Sequence, residues 1–222
     1  MTNVLIPVKS LKTAKSRLSN VLRPEARSEL VLAMLTDLFV ALKFCELDRI
    51  WLIGTDRAVF DVGKKFGANV IHEENSTGYN RAIRLGLRKV DVEGPVVILP
   101  ADLPGATTQD LNSLISPSAA VGPEVRVVPD KQQFGTNGLY LSSPDLMNPA
   151  FGTNSFKKHL RGAGSVKARA IPLPLSSLAD DMDEETDFLD FAKAGSCRNS
   201  MSFTQRLLDG FDLQNATSRS VA

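Results

Sequence analysis

Asp102 stands between Pro100 and Pro104 in the stretch LPADLP, directly after an unbroken apolar run at 96–99. Prolines on both sides keep the chain from extending a sheet ladder or easily starting a helix. The carboxylate is thereby held at the C-terminal edge of a strand, where open α/β sheets receive ligands. A turn-forming or helix-capping aspartate would look the same locally. A second acidic stretch, ADDMDEETDF at 179–188, carries Asp180, Asp181, Asp183, Glu184, Glu185 and Asp187. Its later part reads as an acidic helix start, but Asp181 and Asp183 fall on one side of an extended segment because side chains alternate. Facing Asp102, these two would complete an oxygen-ligand site for Mg²⁺. Carboxylates and substrate phosphates commonly share that ion in nucleotidyl transfer.

Cations are grouped as well. PVKSLKTAKSRL at 7–18 places Lys9, Lys12, Lys15 and Arg17 in the loop that follows the first strand, which in such folds meets phosphate. Solvated lysines are the ordinary alternative. Two turns rich in small residues, FGTNG at 134–138 and FGTNSF at 151–156, complete the set. Gly135 and Gly152 permit close backbone approach, and Thr136 and Ser155 supply hydroxyl donors. Such turns suit a small anion, or are simply turns. His159 lies one helical turn beyond Ser155 and either faces the same pocket or caps a helix.

These groups need a scaffold, and the hydrophobic pattern describes one. Buried strands are expected at 3–8, 49–55, 69–72 and 95–99, alternating with helices at 24–44, up to about 66, and 78–90. Pro24 suits a first helical turn and Gly67 a helix stop. The repeated strand–helix units imply a mostly parallel sheet with helices on both faces, an α/β fold. The second half reads as short strands at 126–128 and 139–141, a helix after Thr153, a strand at 166–173 and a helix at 184–194, which together make the sheet mixed. One domain is expected over 1–200, with a short C-terminal helix and a frayed tail over 201–222.

With 222 residues, 43% of them hydrophobic and 23% charged, the chain reads as an ordinary globular protein. A formal net charge of +1 disfavours a whole-surface nucleic-acid binder. Cys45 and Cys197 are far apart and, with only His72 and His159 beside them, read as reduced thiols rather than zinc ligands. The N-terminal apolar stretch is too short for a signal peptide and no segment has transmembrane length, so a cytoplasmic protein without a membrane partner is expected. The dinucleotide glycine fingerprint and the P-loop are both absent, which disfavours a nicotinamide dehydrogenase and a P-loop NTPase.

Taken in order, PVKSLKTAKSRL, LPADLP, the GTN turn, FGTNSF and DMDEETDF resemble the guanylyltransferases of coenzyme F(420) biosynthesis, over about residues 4–188. The resemblance implies a Rossmann-like nucleotide-diphosphosugar-transferase fold. It also implies transfer of GMP from GTP to 2-phospho-L-lactate, phosphoenolpyruvate or 3-phospho-D-glycerate, with release of diphosphate. Residue by residue, Asp102, Asp181 and Asp183 match the family's metal-binding acids, for Mg²⁺. Thr136, Gly152 and Ser155 match positions that hold the phosphorylated acid, and Lys9, Lys15 and Arg17 match the catalytic basic loop around the GTP phosphates. GYNRAI at 78–83 departs from the family's GLNAA-like form, placing Tyr79 and Arg81 near the expected base pocket. Competing readings are a nucleotidyltransferase of the sugar-phosphate or molybdenum-cofactor type, and a non-catalytic nucleotide-binding regulator. The resemblance leaves room for a homodimer.

Overall fold

The structure, a computed structural model, describes residues 1–74, 78–90, 94–116, 121–194 and 202–209. Its first half alternates β1 (Thr2–Pro7), α1 (Pro24–Leu42), β2 (Leu47–Gly54), α2 (Arg57–Lys65), β3 (Asn69–His72), α3 (Tyr79–Lys89) and β4 (Val96–Ile98). The second half supplies α4 (Thr108–Ile115), β5 (Glu124–Pro129), β6 (Thr136–Leu141), α5 (Ser155–Ser165) and β7 (Arg169–Pro172). Three helices follow: α6 (Ser176–Ala179), α7 (Glu185–Ala194) and α8 (Phe203–Asp209).

The strands form one sheet in the order β3-β2-β1-β4-β6-β5-β7. Every neighbouring pair is parallel except the two that involve β6, so a single strand runs against the rest. Strand alternation divides the core between the two faces. Val4, Ile6, Val97 and Leu99 point into one hydrophobic cluster with α1, α2, α4 and the C-terminal helices, and Leu5, Val96 and Ile98 point into another with α3 and α5. The long helix α1 buries Leu30, Met34, Leu38 and Leu42 along one stripe and begins at Pro24, as expected from its pre-set φ. Gly86 of α3 lies so close to the sheet that an added Cβ would stand 2.3 Å from Ile53 Cδ1.

The chain runs outward from β1 through β2 to β3, then returns to place β4 on the other side of β1. The C-terminal ends of β1 and β4 therefore flank the topological switch point, where a crevice opens in sheets of this kind. The Lys9–Arg17 loop leaves one of these strands, and Asp102 leaves the other.

Two helices had no counterpart in the hydrophobic pattern. α4 buries only Leu111, Leu114 and Ile115, too few to establish a period. Its last carbonyls, Ser113 and Leu114 with Ser116 beyond them, are satisfied by Arg126 of β5, a tertiary partner. α6 has four residues. The strand expected at 166–173 is shorter because 166–168 form the exit from α5: Lys167 is left-handed at φ 57°, and Ala168 N–H donates to Ala163 O at 2.9 Å. Cys45 is a half-buried free thiol, whereas Cys197 and the tail from 210 onward lie outside the described residues. Helix α8 packs on α1, where Asp37 accepts from the N–H groups of Phe203 and Thr204 at 2.7 and 2.9 Å. Among the described residues no helix is long and apolar enough to cross a membrane.

Candidate active site

A cavity of about 660 Å³ opens over the C-terminal ends of β1 and β4. All nine residues singled out by sequence for phosphate, metal or acid binding line it: Lys9, Lys15, Arg17, Asp102, Thr136, Gly152, Ser155, Asp181 and Asp183. Lys12 and Arg81 do not line it and are exposed. Residues separated by more than 170 positions are thus gathered by the sheet.

The acids surround Lys15. Its Nζ donates to Asp102 Oδ2 at 2.5 Å and to Asp183 Oδ1 at 2.7 Å, with the lysine side chain 6% exposed. Burial alone would lower the Lys15 pKa, but Asp102 and Asp183 outweigh it and raise it, so the ammonium stays charged. Lys15 holds a left-handed backbone at φ 50°, a conformation that costs a non-glycine residue about 1–2 kcal/mol and persists where surrounding structure imposes it. The one-turn 3₁₀ segment Ser16–Leu18 that follows drops Leu18 into the core and fixes the loop.

Asp181 and Asp183 do share one side of an extended segment. Met182 between them is buried, and its N–H donates to Asp102 O at 3.3 Å, tying the acidic segment to the end of β4. Asp187 accepts from the Asp183 and Glu184 N–H groups, so part of the acidic run is a helix start as well. Burial, followed by the neighbouring charges of Asp102 and Asp183, pushes the Asp181 carboxyl up to about 6. Burial also opposes ionisation of Asp183, but Lys15, Lys9 and Arg17 bring that carboxyl below its usual range.

Among the described residues no three acid, His or Cys side chains form a ready-made metal cage, and Lys15 stands where two of the acids converge. The donor set nevertheless fits a hard divalent cation. Asp102 and Asp183 contact one ammonium, and Asp181 lines the same cavity. Burial first, and then the charges of Asp102 and Asp183, disfavour the ionised Asp181, and a bound cation would offset the charge part of that cost. Arg17 reaches only the rim, 3.4 Å from Glu184, with both side chains about two-thirds exposed at 68% and 64%.

The opposite wall is built from the two small-residue turns, joined by Phe156 N–H donating to Phe134 O at 3.2 Å. Gly152 has φ 107°, so only glycine sits there without strain. Ser155 begins α5, is 1% exposed, and its hydroxyl has no partner among the described residues. Gly135 behaves differently from expectation. Its N–H donates to Asp130 Oδ2 at 2.7 Å, beside Phe134 N–H on Oδ1 at 2.9 Å, so this turn is shaped internally and its amides are not free for an anion.

His159 neither lines the cavity nor caps a helix; it stands fully buried behind Thr136. Ala150 N–H donates to its Nε2 at 2.9 Å, so Nδ1 carries the proton and donates to Thr136 Oγ1 at 3.0 Å. That leaves the Thr136 hydroxyl proton free to point into the cavity. Burial, with Lys158 adding to it, lowers the His159 pKa to about 4 and keeps the ring neutral. Asn80 was overlooked in sequence. Its side chain accepts from Phe151 N–H at 2.8 Å and donates to Phe151 O at 2.9 Å, clamping the loop that presents Gly152. No local pattern reveals this, because the partners are 71 residues apart.

A profile of the family described as "Guanylyl transferase CofC like" matches residues 2–221. The chain belongs to that family. Among its relatives, a phosphoenolpyruvate guanylyltransferase of Rubrobacter xylanophilus is 35% identical over 86% of this chain and 93% of its own. One of Sphaerobacter thermophilus is 32% identical over 86% and 92%. A 3-phospho-D-glycerate guanylyltransferase of Phenylobacterium zucineum is 29% identical over 89% and 92%. A solved structure from Desulfovibrio desulfuricans, described as a candidate nucleotide-diphospho-sugar transferase, superposes with a TM-score of 0.76 at 14% identity, covering 98% of this chain and 97% of its own. A nucleotidyl transferase from Methanothermobacter gives 0.68 at 13% identity, covering 90% and 99%. These two establish the nucleotide-diphosphosugar-transferase fold. As a CofC-like guanylyl transferase, the chain is an enzyme of nucleotidyl transfer, which leaves no place for the regulator reading.

Proposed function

We propose that this guanylyl transferase joins GMP from GTP to a three-carbon phosphorylated acid in coenzyme F(420) biosynthesis, with Mg²⁺ as its metal and phosphoenolpyruvate as the first acid to test. The observation that carries this reading is a single cavity lined by the Thr136 and Ser155 hydroxyls, by Lys9, Lys15 and Arg17, and by three carboxylates. The choice of phosphoenolpyruvate rests on the relatives named for that substrate.

In this reading an ionised phosphate oxygen of the acid attacks the α-phosphorus of GTP. The bond from that phosphorus to the bridging oxygen breaks, and diphosphate leaves with the electron pair. No general base is needed, because the nucleophile is already an anion at neutral pH. The difficulty is repulsion: two unit charges 4 Å apart interact by about 4 kcal/mol at an effective dielectric of 20. The residues are suited to removing it. Thr136, whose proton His159 leaves free, and the Ser155 hydroxyl would hold the acid, with the positive end of the α5 dipole beside them. Lys9, Lys15 and Arg17 would take the charge developing on diphosphate. Asp102, Asp181 and Asp183 would hold Mg²⁺, which when bound supplies charge neutralisation at the reacting phosphates.

The test is diphosphate release from GTP and Mg²⁺ with phosphoenolpyruvate, 2-phospho-L-lactate and 3-phospho-D-glycerate in parallel. Turnover with one acid establishes the reaction and names the substrate. Silence with all three, from folded protein, overturns the reading in favour of a sugar-phosphate or cofactor nucleotidyltransferase.

A further inference from the structure

Tyr79, the first residue of α3, lines the cavity, but its hydroxyl has no role in anything described above. Tyr79 Oη is buried and has no hydrogen-bond partner among the described residues. An unmet hydroxyl in a protein interior is costly, and buried tyrosine hydroxyls ordinarily find a partner. The rest of the ring is well held. It packs edge-on against Phe151 with ring centroids 5.4 Å apart, and Lys9 Nζ lies 5.8 Å from its centroid on the phosphate-loop side. The next residue, Asn80, holds the Phe151 backbone by both its side-chain atoms. Tyr79 and the Gly152 turn are therefore held together through Phe151.

We infer that the Tyr79 phenol donates a hydrogen bond to the phosphate of the acceptor acid, making it a substrate-binding residue at the junction of the acid wall and the basic loop. This rests on the functional reading above. Burial and then the nearby Asp102 charge keep the phenol protonated, so toward an anion it donates. A phosphate seated against Thr136, Gly152 and Ser155 supplies the missing acceptor. Without ligand the hydroxyl has no partner among the described residues, so Tyr79 is a position where stability is given up for binding.

Tyr79→Phe removes this one atom and leaves the ring contacts in place. For the Y79F variant we expect a melting temperature equal to or above that of the wild type. Its KM for phosphoenolpyruvate, and the calorimetric Kd for that acid, should rise about tenfold or more, the size of one hydrogen bond to a charged group, while KM for GTP stays within about twofold. Unchanged acid binding overturns the inference, as does a loss confined to GTP. A drop of several degrees in melting temperature also overturns it, because the hydroxyl would then have a structural partner. Tyr79→Leu, which removes ring and hydroxyl together, should weaken acid binding at least as much; acid binding retained in that variant is a further refutation. Should the wild type neither bind nor turn over any of the three acids, the functional reading itself falls and takes this inference with it.

Discussion

Arg126 and Lys15 are both buried cations, one at the N-terminal edge of the sheet and the other at its C-terminal edge, and the structure treats them differently. Arg126 is matched. Its Nε donates to Glu124 at 2.7 Å, its Nη1 donates to the carbonyls of Ser113, Leu114 and Ser116, and its guanidinium lies 4.5 Å over the Tyr140 ring. Glu124 in turn also accepts from Arg169. Lys15 is one ammonium among three carboxylates, and Asp181 is left with a carboxyl raised to about 6. A saturated ion pair fixes a helix end and a strand register. An unsaturated cluster beside a cavity retains capacity for charged ligands. Burial of charge alone does not mark function; incomplete compensation facing an open cavity does.

The sharpest way to break this comparison is to remove each cation. Arg126→Met leaves Glu124 buried with one cation fewer and should cost about 3 kcal/mol in urea unfolding, while kcat of the folded enzyme stays near wild type. Lys15→Met should show the reverse. Asp102 and Asp183 are 25% and 49% exposed and can be hydrated, so the stability loss should be the smaller of the two. Turnover should fall on the order of 10²–10³-fold. Asp102→Asn should lose turnover by a similar or larger factor while the fold stays intact by circular dichroism. Near-wild-type rates in that variant would remove Asp102 from the metal site.

A smaller effect concerns pH. His159 has a folded pKa of about 4 against an ordinary value of 6.5. Between those values the unfolded chain binds a proton that the native protein does not, so stability falls as pH falls through this window. Linkage puts the loss from pH 7 to pH 5 at about 2 kcal/mol. The pH dependence of urea midpoints should carry this component in the wild type and lack it in His159→Gln; equal slopes would show that His159 does not titrate there. The smallest effect is expected at the rim. Arg17→Ala breaks an exposed pair and should change stability by less than about 1 kcal/mol. It should raise KM for GTP with little effect on KM for the acid, and a dominant effect on the acid would move Arg17 to the other wall.

The parallel half of the fold was legible because strands buried on both faces read as apolar runs, as at 3–8 and 95–99, and helices such as α1 carry a long periodic stripe. The short strand at 139–141 and the mixed character of the sheet were legible too. Which strand runs in reverse, the short helices α4 and α6, and the exact extent of β7 were not. Their stability comes from partners distant in sequence, as when Arg126 closes the end of α4. Within the site, Asp181 and Asp183 could be placed on one face because alternation is a local rule. Asn80 and the tautomer of His159 could not, since each is defined by a backbone group supplied by another segment. Gly135 looked like a free anion-binding turn until Asp130 was seen to occupy its amide.

The sequence by itself determined which residue types were present in chemically useful order and which strand ends would carry them. Those properties follow from side-chain chemistry and from periods of two and 3.6 residues, which act over short stretches of chain. Only the tertiary structure decided that Lys15 stands between Asp102 and Asp183, that His159 leaves the Thr136 proton free, and that the Tyr79 hydroxyl is buried without a partner among the described residues. Hydrogen-bond and charge compensation depend on distances of a few ångströms between groups from different elements. Those distances are set when the sheet closes at its switch point.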